Sequence, residues 1–79
     1  MDTASESAEL KRVLADNLRC YRKKMNMSQE QLAEVCALHR TYIGSVEREE
    51  RNVTLHTLVL LAKALRITVP CLLSKGMRI

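Results

Sequence analysis

The sequence predicts an all-α domain of five short helices, and three observations carry that reading. Glycine (2) and proline (1) are scarce while Leu, Ala, Lys, Arg and Glu abound, a balance that favours helix. Apolar residues recur three and four apart through most of the chain, which is the spacing of helices with one buried face. Residues suited to starting or stopping a helix fall between those runs. There is no Trp or Phe, and Tyr21 and Tyr42 are the two tyrosines, so the core must be aliphatic. A chain of 79 residues has little surface to bury, which makes a dimer interface an attractive source of further stability.

Taken in order, residues 1–8, MDTASESA, are small and polar and are expected to form a flexible segment, with Ser5 or Ser7 as candidate caps. The folded domain is expected over residues 9–76, followed by a tail at 77–79. From Glu9 to Met25, the positions Leu10, Val13, Leu14, Leu18, Tyr21 and Met25 keep helical spacing. Asn26 then stands where a left-handed residue would stop the helix. Arg22, Lys23 and Lys24 lie in the last turn, well placed against the helix dipole.

The second helix opens at Ser28, with Gln31 completing a capping box and Met27 and Leu32 at the positions of a hydrophobic staple. Leu32, Ala33 and Cys36 share its inward face. A third helix begins near His39, with Ile43 and Val46 inward and Tyr42 at the margin. Its opposite face carries Arg40, Thr41, Gly44, Ser45 and Arg48. A planar guanidinium, small hydroxyls and a glycine that permits close approach suit the major groove of DNA. A solvated helix face has the same pattern, so the residues alone leave both readings open.

Residues 49–53 form a polar connection. Thr54 caps a fourth helix running to Leu65, with Leu55, Leu58, Leu61, Ala62 and Leu65 as its inward face. Val59 and Leu60 widen that stripe beyond what one small core requires. Thr68 starts a fifth helix through Ser74, with Pro70 in its first turn, where a missing N–H costs little. Gly76 ends it.

Charge and cysteine usage narrow the function classes. The formal net charge is +4, which permits nucleic acid without demanding it. Arg40, Arg48 and Arg51 share residues 28–51 with five glutamates, so binding driven by charge alone is not expected. Cys20, Cys36 and Cys71 are odd in number and widely spaced, against a disulfide framework and in favour of a reducing cytoplasm. No apolar run reaches membrane-spanning length.

Ser28, Ser45, His39 and His56 offer no base-and-orienter arrangement, so catalysis is not expected. Cys36-x-x-His39 has the spacing of half a metal site but lacks a second pair of ligands, so no metal or other cofactor is expected. His39 reads as a helix-start residue beside DNA, and His56 as solvent-facing.

The strings NLRCYRKKMNMSQEQLA, RTYIGSVERE and TLVLLAKAL resemble the Cro/phage-repressor (Xre-like) helix-turn-helix family, over about residues 10–75. The stretch HRTYIGSVEREERNVTL is similar to the small controller proteins of restriction–modification systems. The resemblance implies a lambda-repressor-like fold and a homodimeric regulator of its own operon on pseudo-palindromic double-stranded DNA. It implies base contacts from Arg40, Thr41, Gly44, Ser45 and Arg51. Backbone contacts would come from Gln29, His39, Tyr42, Arg48 and Asn52. Arg22 and Glu47 match a buried ion pair that orients the third helix.

Leu60, Leu72, Leu73 and Met77 are the expected dimer seam, RNA polymerase is a candidate contact, and no small-molecule ligand or membrane is expected. The alternative is a protein-interaction or antitoxin-type module, for which the same residues with Ile79 would form the partner surface. The chain departs from the family at Ala37, Glu49 and Arg66, where glycine is usual. Leu60 is apolar where relatives are often polar.

Overall fold

The computed structural model describes residues 2–75, and among these there are five helices and no strand. Helix α1 spans Thr3–Lys24, α2 Gln29–Cys36, α3 Arg40–Glu47, α4 Leu55–Leu65 and α5 Val69–Leu72. One aliphatic core joins them, formed by Leu14 and Leu18 of α1, Leu32, Ala33 and Cys36 of α2, Ile43 and Val46 of α3, Leu58, Leu61, Ala62 and Leu65 of α4, and Leu72 of α5. Burial pushes the Cys36 thiol up from its ordinary value, which keeps it neutral and unreactive.

Each helix starts on a side chain that accepts a bond from an otherwise orphaned backbone N–H. Ser28 and Gln31 form the expected capping box: the Gln31 N–H donates to Ser28 Oγ at 3.0 Å and the Ser28 N–H to Gln31 Oε1 at 2.8 Å. Thr54 and Thr68 cap α4 and α5 through the N–H groups of Thr57 and Cys71. His39 caps α3, its Nδ1 accepting from the Thr41 N–H at 3.2 Å.

At the start of the chain the structure differs from the sequence reading. Asp2, not Ser5 or Ser7, caps α1, and both serines lie within the helix. The helix thus includes residues 3–8, which carry no helix breaker. All of residues 2–10 are exposed, Leu10 included at 50%. Periodicity placed Leu10 inward, but it lines an open groove with Val53, Leu58 and Leu73 that leaves it half-covered.

Two more differences concern α4 and α5. Leu55 was expected inward and is 78% exposed, because it occupies the first turn of α4, beyond the edge of the core. Leu72 was expected at an interface and is fully buried, because α5 turns it into the domain. Helix α5 ends at Leu72 rather than Ser74. Buried Asn17 of α1 holds this end, its Nδ2 donating to the Leu72 carbonyl at 2.8 Å and the Ser74 carbonyl at 3.0 Å. The positions expected of Gly76, Met77 and Ile79 lie outside the described residues.

The first four helices all end the same way. A residue with positive φ turns the chain: Asn26 (57°), Ala37 (56°), Glu49 (65°) and Arg66 (60°). Its N–H and the next one bond back into the helix. In α2, for example, the Ala37 N–H reaches the Glu34 carbonyl and the Leu38 N–H the Ala33 carbonyl. Asn adopts this conformation readily, but a Cβ costs the other three on the order of 1 kcal/mol each. Ala37→Gly is expected to raise stability by about 0.5–1 kcal/mol, since relief of that strain outweighs the added freedom of the unfolded chain. Urea denaturation at fixed protein concentration checks this through the midpoint.

Candidate nucleic-acid interface

Helix α3 is held from inside by a charged cluster centred on Glu47. The Glu47 carboxylate is only 4% exposed and takes a forked contact from Arg22, Nε to Oε2 at 2.8 Å and Nη2 to Oε1 at 3.1 Å. Gln29 Nε2 adds a third bond to Oε1 at 3.0 Å. Arg22 also donates through Nη1 to the Met27 carbonyl at 2.8 Å, tying the α1–α2 turn to the same point. Arg19, itself paired with Asp16, donates to the backbone carbonyl of Glu47 at 2.9 Å. The expected Arg22–Glu47 pair is therefore present. The sequence reading missed Arg19 and the second role of Gln29, because nothing in the spacing of one helix reveals which carbonyl of another it meets.

With its inner side fixed, α3 turns Arg40 and Thr41 to solvent. The Arg40 side chain is 66% exposed and lies 3.6 Å from Glu30 of α2, a surface pair of little energetic weight. Thr41 Oγ1 sits 2.7 Å from His39 Nδ1. Arg48, at the end of α3, is exposed and forks onto Glu50, with Nε–Oε2 at 3.1 Å and Nη2–Oε1 at 3.4 Å. Asn52 is exposed in the following loop. Neither Glu30 nor Glu50 was singled out from sequence, since both lie at separations that no helical rule pairs with an arginine.

Two residues expected on the open face are not there. Gly44 is buried, and a Cβ on it would come within 3.1 Å of Arg48 Nη1 and 3.6 Å of Gln29 Oε1. It gives space to the side chains that cross it rather than to a base. Ser45 is 6% exposed, its hydroxyl donating to the Tyr42 carbonyl at 2.7 Å and accepting from Arg51 Nε at 2.9 Å. The Arg51 guanidinium carbon also stands 5.2 Å from the centre of the Tyr42 ring. The periodicity was right, but Arg51 folds back from the loop and covers Ser45.

Away from this face, Leu55 and Val59 lie one turn apart on α4 and are 78% and 44% exposed. Leu60 and Leu73 are half-buried. Among the described residues, no helix is long and apolar enough to cross a membrane, and no group of three or more His, Cys, Asp or Glu is placed to hold a metal ion.

Comparison with known proteins agrees with this geometry. A helix-turn-helix family model matches residues 18–70. The control protein C.SmaI of Serratia marcescens is 64% identical over 67 residues, covering 85% of this chain and 80% of that protein. The crystal structure of the restriction–modification controller protein C.AhdI from Aeromonas hydrophila superposes with a TM-score of 0.75 at 40% identity, over 78% of this chain and 94% of that one. The restriction–modification controller protein C.Esp1396I, as a tetramer in complex with its natural 35 base-pair operator, gives a TM-score of 0.70 at 36% identity, covering 75% and 78% of the two chains.

The Glu47 cluster yields the clearest stability expectation. Glu47→Ala leaves Arg22 buried without its carboxylate and should destabilise the fold by about 3–5 kcal/mol. Gln29→Ala removes one bond of the cluster and should cost about 1 kcal/mol. Urea denaturation of both variants distinguishes them, and similar losses would contradict this ranking.

Proposed function

The chain belongs to the helix-turn-helix family of restriction–modification controller proteins, and from that premise we propose that it regulates the transcription of such an operon, including its own gene. It is a sequence-specific DNA-binding regulator that acts on its operator as a homodimer in the cytoplasm. The observation that carries this reading is the geometry of α3: one side is locked by the Glu47 cluster while Arg40 and Thr41 stand open on the other. Arg51 projects beside them from the loop. An anchored helix with a solvent-exposed guanidinium and hydroxyl, each held only by a surface contact, is a means of reading base edges, and nothing catalytic is needed to account for it.

Arg40 is the leading base reader, its guanidinium forking onto guanine, with Thr41 and Arg51 as further readers. Gly44 and Ser45 are not readers, for the reasons of burial given above. Arg48, the exposed N-terminal turn of α2 at Gln29, His39, Tyr42 and Asn52 grip the sugar–phosphate backbone. Two subunits present their α3 helices about one DNA turn apart, roughly 34 Å, so the operator carries two related half-sites. The dimer seam centres on Leu55, Val59 and Leu60, with Leu73 at its edge, rather than on buried Leu72. These are the apolar side chains that α4 leaves to solvent, and a second copy removes them from water.

Fluorescence anisotropy against duplex DNA from just upstream of the coding sequence, and against the same DNA shuffled, tests this reading. A preference of about a thousandfold or more for the upstream duplex is expected. Equal, salt-sensitive binding to both would overturn control of its own operon, and no binding to either by a folded dimer would overturn the DNA-binding reading itself.

Arg40→Ala should cost about 1–3 kcal/mol on the preferred site and relax sequence preference. Arg48→Ala should weaken all sequences alike and lower the salt slope by about one phosphate contact, which titration at several salt concentrations measures. Leu55→Glu should shift the mass seen in sedimentation equilibrium towards the monomer without unfolding the domain.

A further inference from the structure

We propose that Ser45 is a positioning residue: it holds Arg51 in the orientation in which that arginine reads a base pair, and so sets specificity at a base it does not touch. The proposal rests on the DNA-binding reading above and deepens it. Three observations converge on it. Arg51 follows α3 in a loop, where a long side chain has many rotamers. Its Nε–H is nevertheless fixed on Ser45 Oγ at 2.9 Å. Its guanidinium carbon lies 5.2 Å from the centre of the Tyr42 ring, whose face attracts the cation.

The serine is committed to this task in turn. Its hydroxyl has one hydrogen to give and gives it to the Tyr42 carbonyl at 2.7 Å, which leaves the oxygen's lone pairs towards Arg51. In a serine at 6% exposure, a hydroxyl occupied in both directions has nothing left for a base edge. Binding Arg51 through Nε also leaves its outer Nη groups free of that bond, and those are the donors a guanine edge would take as a pair. A side chain ordered before the duplex arrives does not lose its rotamer freedom on binding. The same constraint penalises the wrong base, because an arginine fixed at two points cannot swing to a nearby phosphate.

The test uses the full chain and the duplex it selects from a random pool, together with single base-pair variants of that duplex. Arg51→Ala is expected to relax discrimination at one base-pair position in each half-site. Ser45→Ala, which fits a helix interior, should relax discrimination at the same position and lower affinity for the selected duplex about three- to tenfold, the scale of freezing one long side chain. In the Arg51→Ala background, Ser45→Ala should change affinity less than about twofold, because the pair acts as one unit.

Additive losses, or a Ser45→Ala effect at a position that Arg51→Ala leaves unchanged, would overturn the proposal and return Ser45 to direct contact. Uniform weakening of all duplexes by Arg51→Ala would also overturn it, making Arg51 a backbone grip. Each of those results leaves the DNA-binding reading standing. If the wild-type chain selects no duplex, that reading falls and the proposal falls with it.

Discussion

What α3 presents to the outside depends on how Arg22 holds Glu47 inside. A carboxylate this deeply buried is costly to desolvate, and its pairing does not by itself make the fold more stable than an apolar contact would. What the pair supplies is direction. The guanidinium is planar, and it uses one edge on both carboxylate oxygens and another donor on the Met27 carbonyl. A lysine at this position would carry the charge without the fork. Gln29 and Arg19 converge on the same residue, one on its side chain and one on its backbone. Helix α3 is thereby fixed by elements before it in the chain, and its rotation about its own axis is set to within what those bonds allow.

The outer face follows a different rule. Its arginines are not left bare: Arg40 faces Glu30, Arg48 forks onto Glu50, and Arg51 is held by Ser45 and Tyr42. Each exposed ion pair is weak and yields to a stronger partner. Together they set carboxylates among the cations of this face. The chain's excess positive charge instead includes Lys23 and Lys24 at the end of α1. Phosphate contacts carry no sequence information, so discrimination by a face of this kind has to come from base edges.

Much of this was legible in the sequence because it is written in local rules. Three of the five helix caps, at Ser28, Thr54 and Thr68, stand where capping chemistry placed them, α3 starts at His39 as expected, and the buried faces of α2 and α3 follow apolar spacing. Arg22 and Glu47 were identified through resemblance, since the residues between them give no sign that they meet. The readings that failed concern tertiary cover. Leu55 and Leu10 fit the periodicity of a buried face but lie where the body ends, whereas Leu72 lies where it does not. Ser45 has the right angle on α3 to face outward. Only the path of the following loop, which brings Arg51 back across it, determines that it does not.

The helix ends connect these local rules to the core. Asn26, Ala37 and Arg66 are each followed by an apolar residue, Met27, Leu38 and Ile67, that packs against the core cluster. Asn26 takes the left-handed turn readily, but at Ala37 and Arg66, with no glycine to make it easy, that packing helps hold the chain in it. The stop signal therefore does not reside in the turn alone. A peptide cut to the length of α2 and α3 would contain every residue of the helix-turn-helix and yet lack the surface that bends it. Amides at the three turns should accordingly exchange with solvent through the same opening that exposes the core, as parts of one cooperative unit.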